Sequence, residues 1–336
     1  MKRINIDLLK RGDVVLTTSA QKKPSGLIRA VTKSDISHAM ICVSYGSVID
    51  STGDGVQARN IQKMFYEDSC EIYILRPKEP LSEDVLSKIV SYARASTGTR
   101  YSLREAVASV RPQLNKEGGN RQFCSRMVAR AYAYGGVKLV DNPDYCTPED
   151  IKKSNLLVQI NPSALSVSQE EIAAVQEEVD TTEGMRKVTN VLLGRLREID
   201  DKVESVNDIN HLVIKNPGID DEVSKALQDS GYLDFWKVEI NRFPWRYDST
   251  LMVQFYHSLD EPKVLLDYCR ETLSHDKNGD FEHWQLNAKA YGDLAGRYGY
   301  QVFRLFADLY LKLSFYHSQR VKAAEILLKV YGGSDS

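Results

Sequence analysis

No apolar stretch in this 336-residue chain approaches the roughly 20 residues needed to cross a bilayer, which excludes a helical membrane anchor. Charge of one sign is not in excess either. Lys and Arg number 44 against 46 Asp and Glu, a net charge of −2, and the two signs are mixed along the chain. That leaves no polybasic stripe of the kind that binds nucleic acid or an anionic membrane surface. Cysteine is scarce: Cys42, Cys70, Cys124, Cys146 and Cys269 are odd in number, irregular in spacing and form no Cys-x-x-Cys pair. This argues against a disulfide framework or a zinc site and for reduced thiols. Cys42 and Cys70 lie in apolar strand-like runs and read as small core residues. There is no internal repeat and no low-complexity run. The opening Met1 to Asp13 carries charge where a signal peptide would be apolar, so none is read there. The expectation is a soluble protein made in the cytoplasm, compatible with export by a signal-independent secretion system.

What is present is one histidine and one cysteine, each in a setting that suits chemistry. His38 opens the short apolar run Ala39-Met40-Ile41-Cys42-Val43, which predicts a buried strand. Cys124 precedes a segment with Met127, Val128, Ala131 and Tyr134 at helical spacing, stopped by Gly135-Gly136. A thiol at a helix start lies at the positive end of the backbone dipole, which favours thiolate. The polar neighbours Gln122 and Ser125 predict that this helix end lies near the surface. No other histidine occurs before His211, so His38 is the base available to that thiol. The pair points to a cysteine hydrolase or acyltransferase. Cys146, which also precedes a helix start at Thr147-Pro148, is the competing nucleophile.

Two halves differ in texture. Strands are predicted at Asp13 to Thr17, His38 to Val43, Val48 to Ser51 and Glu71 to Leu75, with glycine-bearing turns between them. Ser82 caps a helix to Arg94, and Thr147-Pro148 starts a short one. This order describes an α+β domain over residues 1–160. Residues 161–168 read as the linker. A helical domain is expected over residues 168–333, opened by the capping box Ser168/Glu171. Val188, Leu192, Leu196, Ile199, Val203 and Val206 predict one long amphipathic helix. Further helices are predicted at 220–228, 250–257, 262–273 and 301–331. The last is apolar around much of its surface and is expected to be central.

Five segments together resemble the NlpC-type papain-like superfamily. They are Gly12-Asp13 with its apolar strand, Ser37-His38-Ala39 with the following Val48-Ile49-Asp50, Gly98-Thr99-Arg100-Tyr101, the Cys124 helix, and Thr147-Pro148. Here the histidine strand precedes the cysteine helix, which resembles the circularly permuted branch and within it the YaeF/YiiX-type amidases. The resemblance implies a circularly permuted papain-like fold over roughly residues 10–158, followed by the all-α domain. It also implies that Cys124 is the nucleophile, His38 the general base, and Asp50 the residue that holds the imidazole tautomer and stabilises imidazolium. A one-residue slip in the hairpin would present Ser51 in place of Asp50. Tyr101 either lines the cleft and helps bind the oxyanion or packs the helix start. Backbone N–H groups around Cys124 and Ser125 are the expected oxyanion donors.

The reading is a cysteine amidase that forms an acyl-enzyme, with a bacterial cell-wall peptide amide as the most concrete substrate. The alternatives are an acyltransferase or esterase acting on lipid acyl groups, and an interaction protein with a vestigial papain-like scaffold. No metal or organic cofactor is implied. A peptide or acyl substrate is expected, with a protein partner for the helical half, no nucleic acid and no stable membrane insertion.

Overall fold

The computed structural model describes residues 1–18, 35–101 and 123–333. Gln122 lies outside them. The chain divides into two compact units. One is Met1–Arg186 with Lys202–Asn207, and the other is Lys187–Asp201 with Asp208–Ser336.

The first unit is built on strands β1 (Lys2–Ile4), β2 (Val14–Thr18), β3 (Ile36–Ser44), β4 (Ser47–Thr52), β5 (Gly55–Asn60), β6 (Phe65–Tyr66), β7 (Ile72–Pro77), β8 (Leu157–Ile160) and β9 (Ala164–Ser166). Six of them form an antiparallel sheet in the order β5-β4-β3-β2-β7-β8, and β6-β1-β9 form a smaller one. Its helices are α1 (Glu83–Ala95), α2 (Cys124–Tyr134), α3 (Pro148–Lys152) and α4 (Gln169–Glu177). Ser82 caps α1, and the side chains of Thr147 and Ser168 open capping boxes at α3 and α4.

The unbroken apolar run in β3 has a physical reason: both faces of the large sheet are covered. Alternate residues of a strand point to opposite faces. Ala39, Ile41 and Val43, with Val14, Leu16 and Ile49, pack against Ile89 of α1 and Met127, Val128 and Ala131 of α2. Met40 and Cys42, with Val15, Val48 and Ile74, pack on the other side with Ile4, Leu9 and Ile61. Truncating a side chain in either core, such as Ile41→Ala, would cost about 2–5 kcal/mol. Asp13 is buried at the start of β2, where Arg76 of β7 grips both its carboxylate oxygens at 2.8 and 2.7 Å.

Residues 161–168 are not a linker. β9 pairs with β1, and Ser163 Oγ accepts from the Ile74 N–H at 3.2 Å while donating to the Ile160 carbonyl at 2.6 Å. A three-residue strand created by pairing carries no sequence period, so composition alone misassigned it. The expected long helix also ends early. α5 (Thr181–Ile199) stops before Asp200-Asp201, two like-signed charges at the negative end of the dipole, and Val203 is buried beyond the helix.

The second unit is helical: α6 (Asp208–Lys215), α7 (Asp220–Asp229), α8 (Trp236–Arg242), α9 (Ser249–Ser258), α10 (Lys263–Lys277), α11 (Glu282–Tyr298) and α12 (Gln301–Tyr331) follow α5. α12 packs against α7, α9, α10 and α11. It buries Phe303, Phe306, Leu309, Ala324 and Leu327, while Leu311 and Phe315 remain 59% and 56% exposed. Its apolar surface is therefore used on one side rather than all round. Among the described residues no helix is long and apolar enough to cross a membrane.

Candidate active site

α2 begins at Cys124 because Phe123 is extended (φ −128°, ψ 163°) and its carbonyl accepts the first helical bond, from Met127 N–H at 3.0 Å. Phe123 makes no side-chain cap bond here, and the first-turn N–H groups of a helix have no partner within it. Met127, Val128 and Ala131 lock the helix onto the sheet, while Tyr134 lies exposed at its far end.

Ser125 departs from expectation. It is 1% exposed, not a surface residue, and its hydroxyl donates to the Cys146 carbonyl at 2.7 Å. Its side chain is thus occupied in holding the 144–146 segment along α2, a task shared by Arg126 Nε, which donates to the Asp144 carbonyl at 2.8 Å. What Ser125 can offer a ligand is its backbone N–H. Cys146 is 2% exposed, and its thiol is pushed up to about 12, by burial first and then by neighbouring Asp150 and Cys124. Cys42, Cys70 and Cys269 are buried as well, and Cys124 alone among the five cysteines is part-exposed.

His38 is the third residue of β3. The β3–β4 register sets Met40 opposite Asp50, so His38 and Asp50 lie diagonally on one face. Their side chains meet: His38 Nε2 is 2.8 Å from Asp50 Oδ2. Asp50, not Ser51, therefore faces the ring. Cys124 lies beside the ring, close enough for its side chain to act on the imidazole. With Nε2 taken by Asp50, Nδ1 is the nitrogen left for the sulfur. Burial opposes charge on this ring, but the Asp50 hydrogen bond, the neighbouring Cys124 side chain and the charges on both outweigh it, pushing the His38 pKa up to about 10. Asp50 is 1% exposed. Burial alone would raise its pKa, yet the hydrogen bonds and charges of His38 and Arg59 hold its carboxyl below the ordinary carboxylate value.

Arg59 of β5 was not anticipated from the sequence. Its Nε donates to both Asp50 oxygens, at 2.8 and 2.7 Å, and its Nη2 donates to Thr52 Oγ1 at 2.9 Å. The only signal was an arginine two positions from a predicted strand's diagonal partner, and β5 itself had not been read.

Tyr101 lies near Cys124. Burial first, and then that neighbour, push its hydroxyl above the ordinary phenol value, so it is a proton-bearing donor at neutral pH. The loop before it is anchored to β5: Val56 N–H donates to the Thr99 carbonyl, and Gly98 N–H to the Val56 carbonyl, both at 2.8 Å. Gly55 (φ +88°) permits this, since a Cβ there would lie 2.5 Å from the Thr99 carbonyl oxygen. Arg100 is held in turn by Glu204, which accepts from its backbone N–H at 3.0 Å and from its Nε at 3.1 Å. Among the described residues, no three or more His, Cys, Asp and Glu side chains gather as metal ligands would.

In this unit the histidine strand β3 precedes the cysteine helix α2, the order that the sequence reading expected. Residues 8–168 match the family model of the permuted papain-like amidases, YaeF/YiiX, C92 family, so the resemblance read from the sequence holds over that stretch. No curated protein matches the chain. Among solved structures, the crystal structure of metalloprotein yiiX from Escherichia coli O157:H7 is similar, at 18% identity over 45% of this chain and 96% of that one, with a TM-score of 0.37.

Proposed function

We propose that the first unit is a cysteine amidase in which Cys124 is the nucleophile, His38 its acid and base, and Asp50 the group that orients and charges the imidazole. The observation that carries this reading is a single ring hydrogen-bonded to Asp50 with the Cys124 side chain beside it. In the first step the Cys124 sulfur bonds to an amide carbonyl carbon, and the carbonyl oxygen becomes an oxyanion. The first-turn N–H groups of α2 and the Tyr101 hydroxyl are the donors suited to it. His38 passes its proton to the leaving nitrogen, the C–N bond breaks, and a thioester remains on Cys124. Water then attacks, His38 takes its proton, and the C–S bond breaks to release the acid.

For substrate, we favour a peptide amide of the bacterial cell wall; the match of residues 8–168 to an amidase family model supports the amide bond as the target. Release of amine from cell-wall peptide fragments, compared with hydrolysis of acyl esters and with Cys124→Ala, tests this. Cys124-dependent turnover of the peptides is the expected result. Turnover of esters alone would transfer the reading to lipid acyl chemistry. Turnover of neither, with Cys124 unreactive toward thiol probes, would leave a binding scaffold.

A further inference from the structure

We infer that Arg59 is a positioning residue of this site: it fixes the plane and the charge of the Asp50 carboxylate, and acts on the thiol through His38. The inference rests on the proposed roles of Cys124, His38 and Asp50. Three neighbouring strands bring the groups together. Asp50 of β4 pairs with Gln57 of β5, so Arg59, two residues on, shares its face, as His38 does from β3.

The bond geometry assigns the task. A carboxylate has about four lone-pair directions. Arg59 Nε reaches both oxygens and so lies near their bisector, which stops the group from rotating, and Oδ2 remains aimed at His38 Nε2 at 2.8 Å. Thr52 in turn fixes the far end of the guanidinium. Without Arg59 the buried carboxylate would lose its permanent counter-charge. The titratable groups facing it would then be His38 from β3 and Tyr66 from β6, and Tyr66 is itself raised above the ordinary phenol value by burial first and then by the Asp50 charge. Protonation of Asp50 would begin at higher pH, and from there its hold on the charged His38 ring would weaken.

The test is the rate of Cys124 carbamidomethylation by iodoacetamide, mapped by mass spectrometry from pH 4 to 9 in the full chain. It needs no substrate. Arg59→Gln should lower the rate near neutral pH about tenfold and move the acid limb up by about one pH unit. Arg59→Lys, which keeps the charge but not the fork, should restore the acid limb more fully than the rate. Thr52→Val keeps Arg59 and its charge, so it should cost a few-fold in rate with the acid limb unmoved. A merely structural arginine would lower the melting temperature and leave the profile of the folded fraction unchanged. If His38→Ala slows the reaction while the Arg59 variants superimpose on the wild type, the positioning role is refuted and the amidase reading stands. If His38→Ala superimposes as well, the amidase reading itself fails. Should Arg59→Gln not fold, the Lys and Thr52 variants decide, and profiles of both that match the wild type refute the role.

Discussion

Asp50→Asn is the most revealing single substitution. Asn presents one oxygen and one NH2 where Asp50 presents two oxygens to two cationic neighbours, His38 and Arg59. With the amide oxygen at the Oδ2 position the bonds to His38 Nε2 and from Arg59 Nε are kept there, while the NH2 at the other position becomes a donor facing the Arg59 Nε–H. Removing one member of a buried ion pair typically costs about 3–5 kcal/mol. Here His38 and Arg59 keep 22% and 21% exposure, so water reaches part of each, and about 2–3 kcal/mol is the expected loss. A domain of ordinary stability survives that. The effect on His38 is sharper, because the Asp50 hydrogen bond and charge are among the forces that raise its pKa to about 10. Their removal should lower it by about 1–3 units. NMR titration of the His38 ring, assigned by its absence in His38→Ala, measures this directly. Turnover should fall by about 10- to 10⁴-fold. A His38 titration that does not move in Asp50→Asn would refute the reasoning, as would full activity in that variant combined with loss in Ser51→Ala.

Further outcomes follow from the same geometry. His38 is raised from 6.5 to about 10, so its stabilising contribution is full below pH 6.5 and is lost as pH rises through about 10. Asp50 is lowered from 3.8, so its contribution is present above pH 3.8 and is lost on acidification through its folded value. Melting temperatures across pH should therefore show an alkaline decline that is smaller in His38→Ala. Gly55→Ala meets both a positive φ and the Thr99 carbonyl, and should destabilise the fold by at least about 1 kcal/mol in chemical denaturation. Glu204→Ala removes its hydrogen bonds to Arg100, next to Tyr101, and should reduce turnover more than stability, which steady-state kinetics beside a melting curve would show.

Legibility in the sequence tracked how local each signal was. The helix starts at Ser82, Thr147 and Ser168 were readable because a cap residue, a Thr-Pro pair and a capping box are patterns of one to four residues. The bounds of α12 were readable from a long helical period. His38 and Cys124 were readable because each stands at the mouth of a strong element. β5 was not, since Gly55–Asn60 alternates only weakly and exists by pairing with β4. Arg59 was lost with it. The commitment of the Ser125 hydroxyl to Cys146 is a contact across 21 residues, and no local pattern announces it. The same holds for Glu204, which lies beyond a helix that the sequence had extended through it.

The central claim is that His38 and Cys124 act as a pair, and the rate of Cys124 alkylation with and without the imidazole tests it most directly. Exposure alone makes Cys124 the fastest of the five cysteines, since the other four are buried. Rank among thiols is therefore not the test. The comparison is iodoacetamide labelling of Cys124 at neutral pH in the wild type and in His38→Ala, with both shown to be folded. A large slowing in His38→Ala is the expected result. Equal rates would contradict the pairing, whatever the distance between the two side chains.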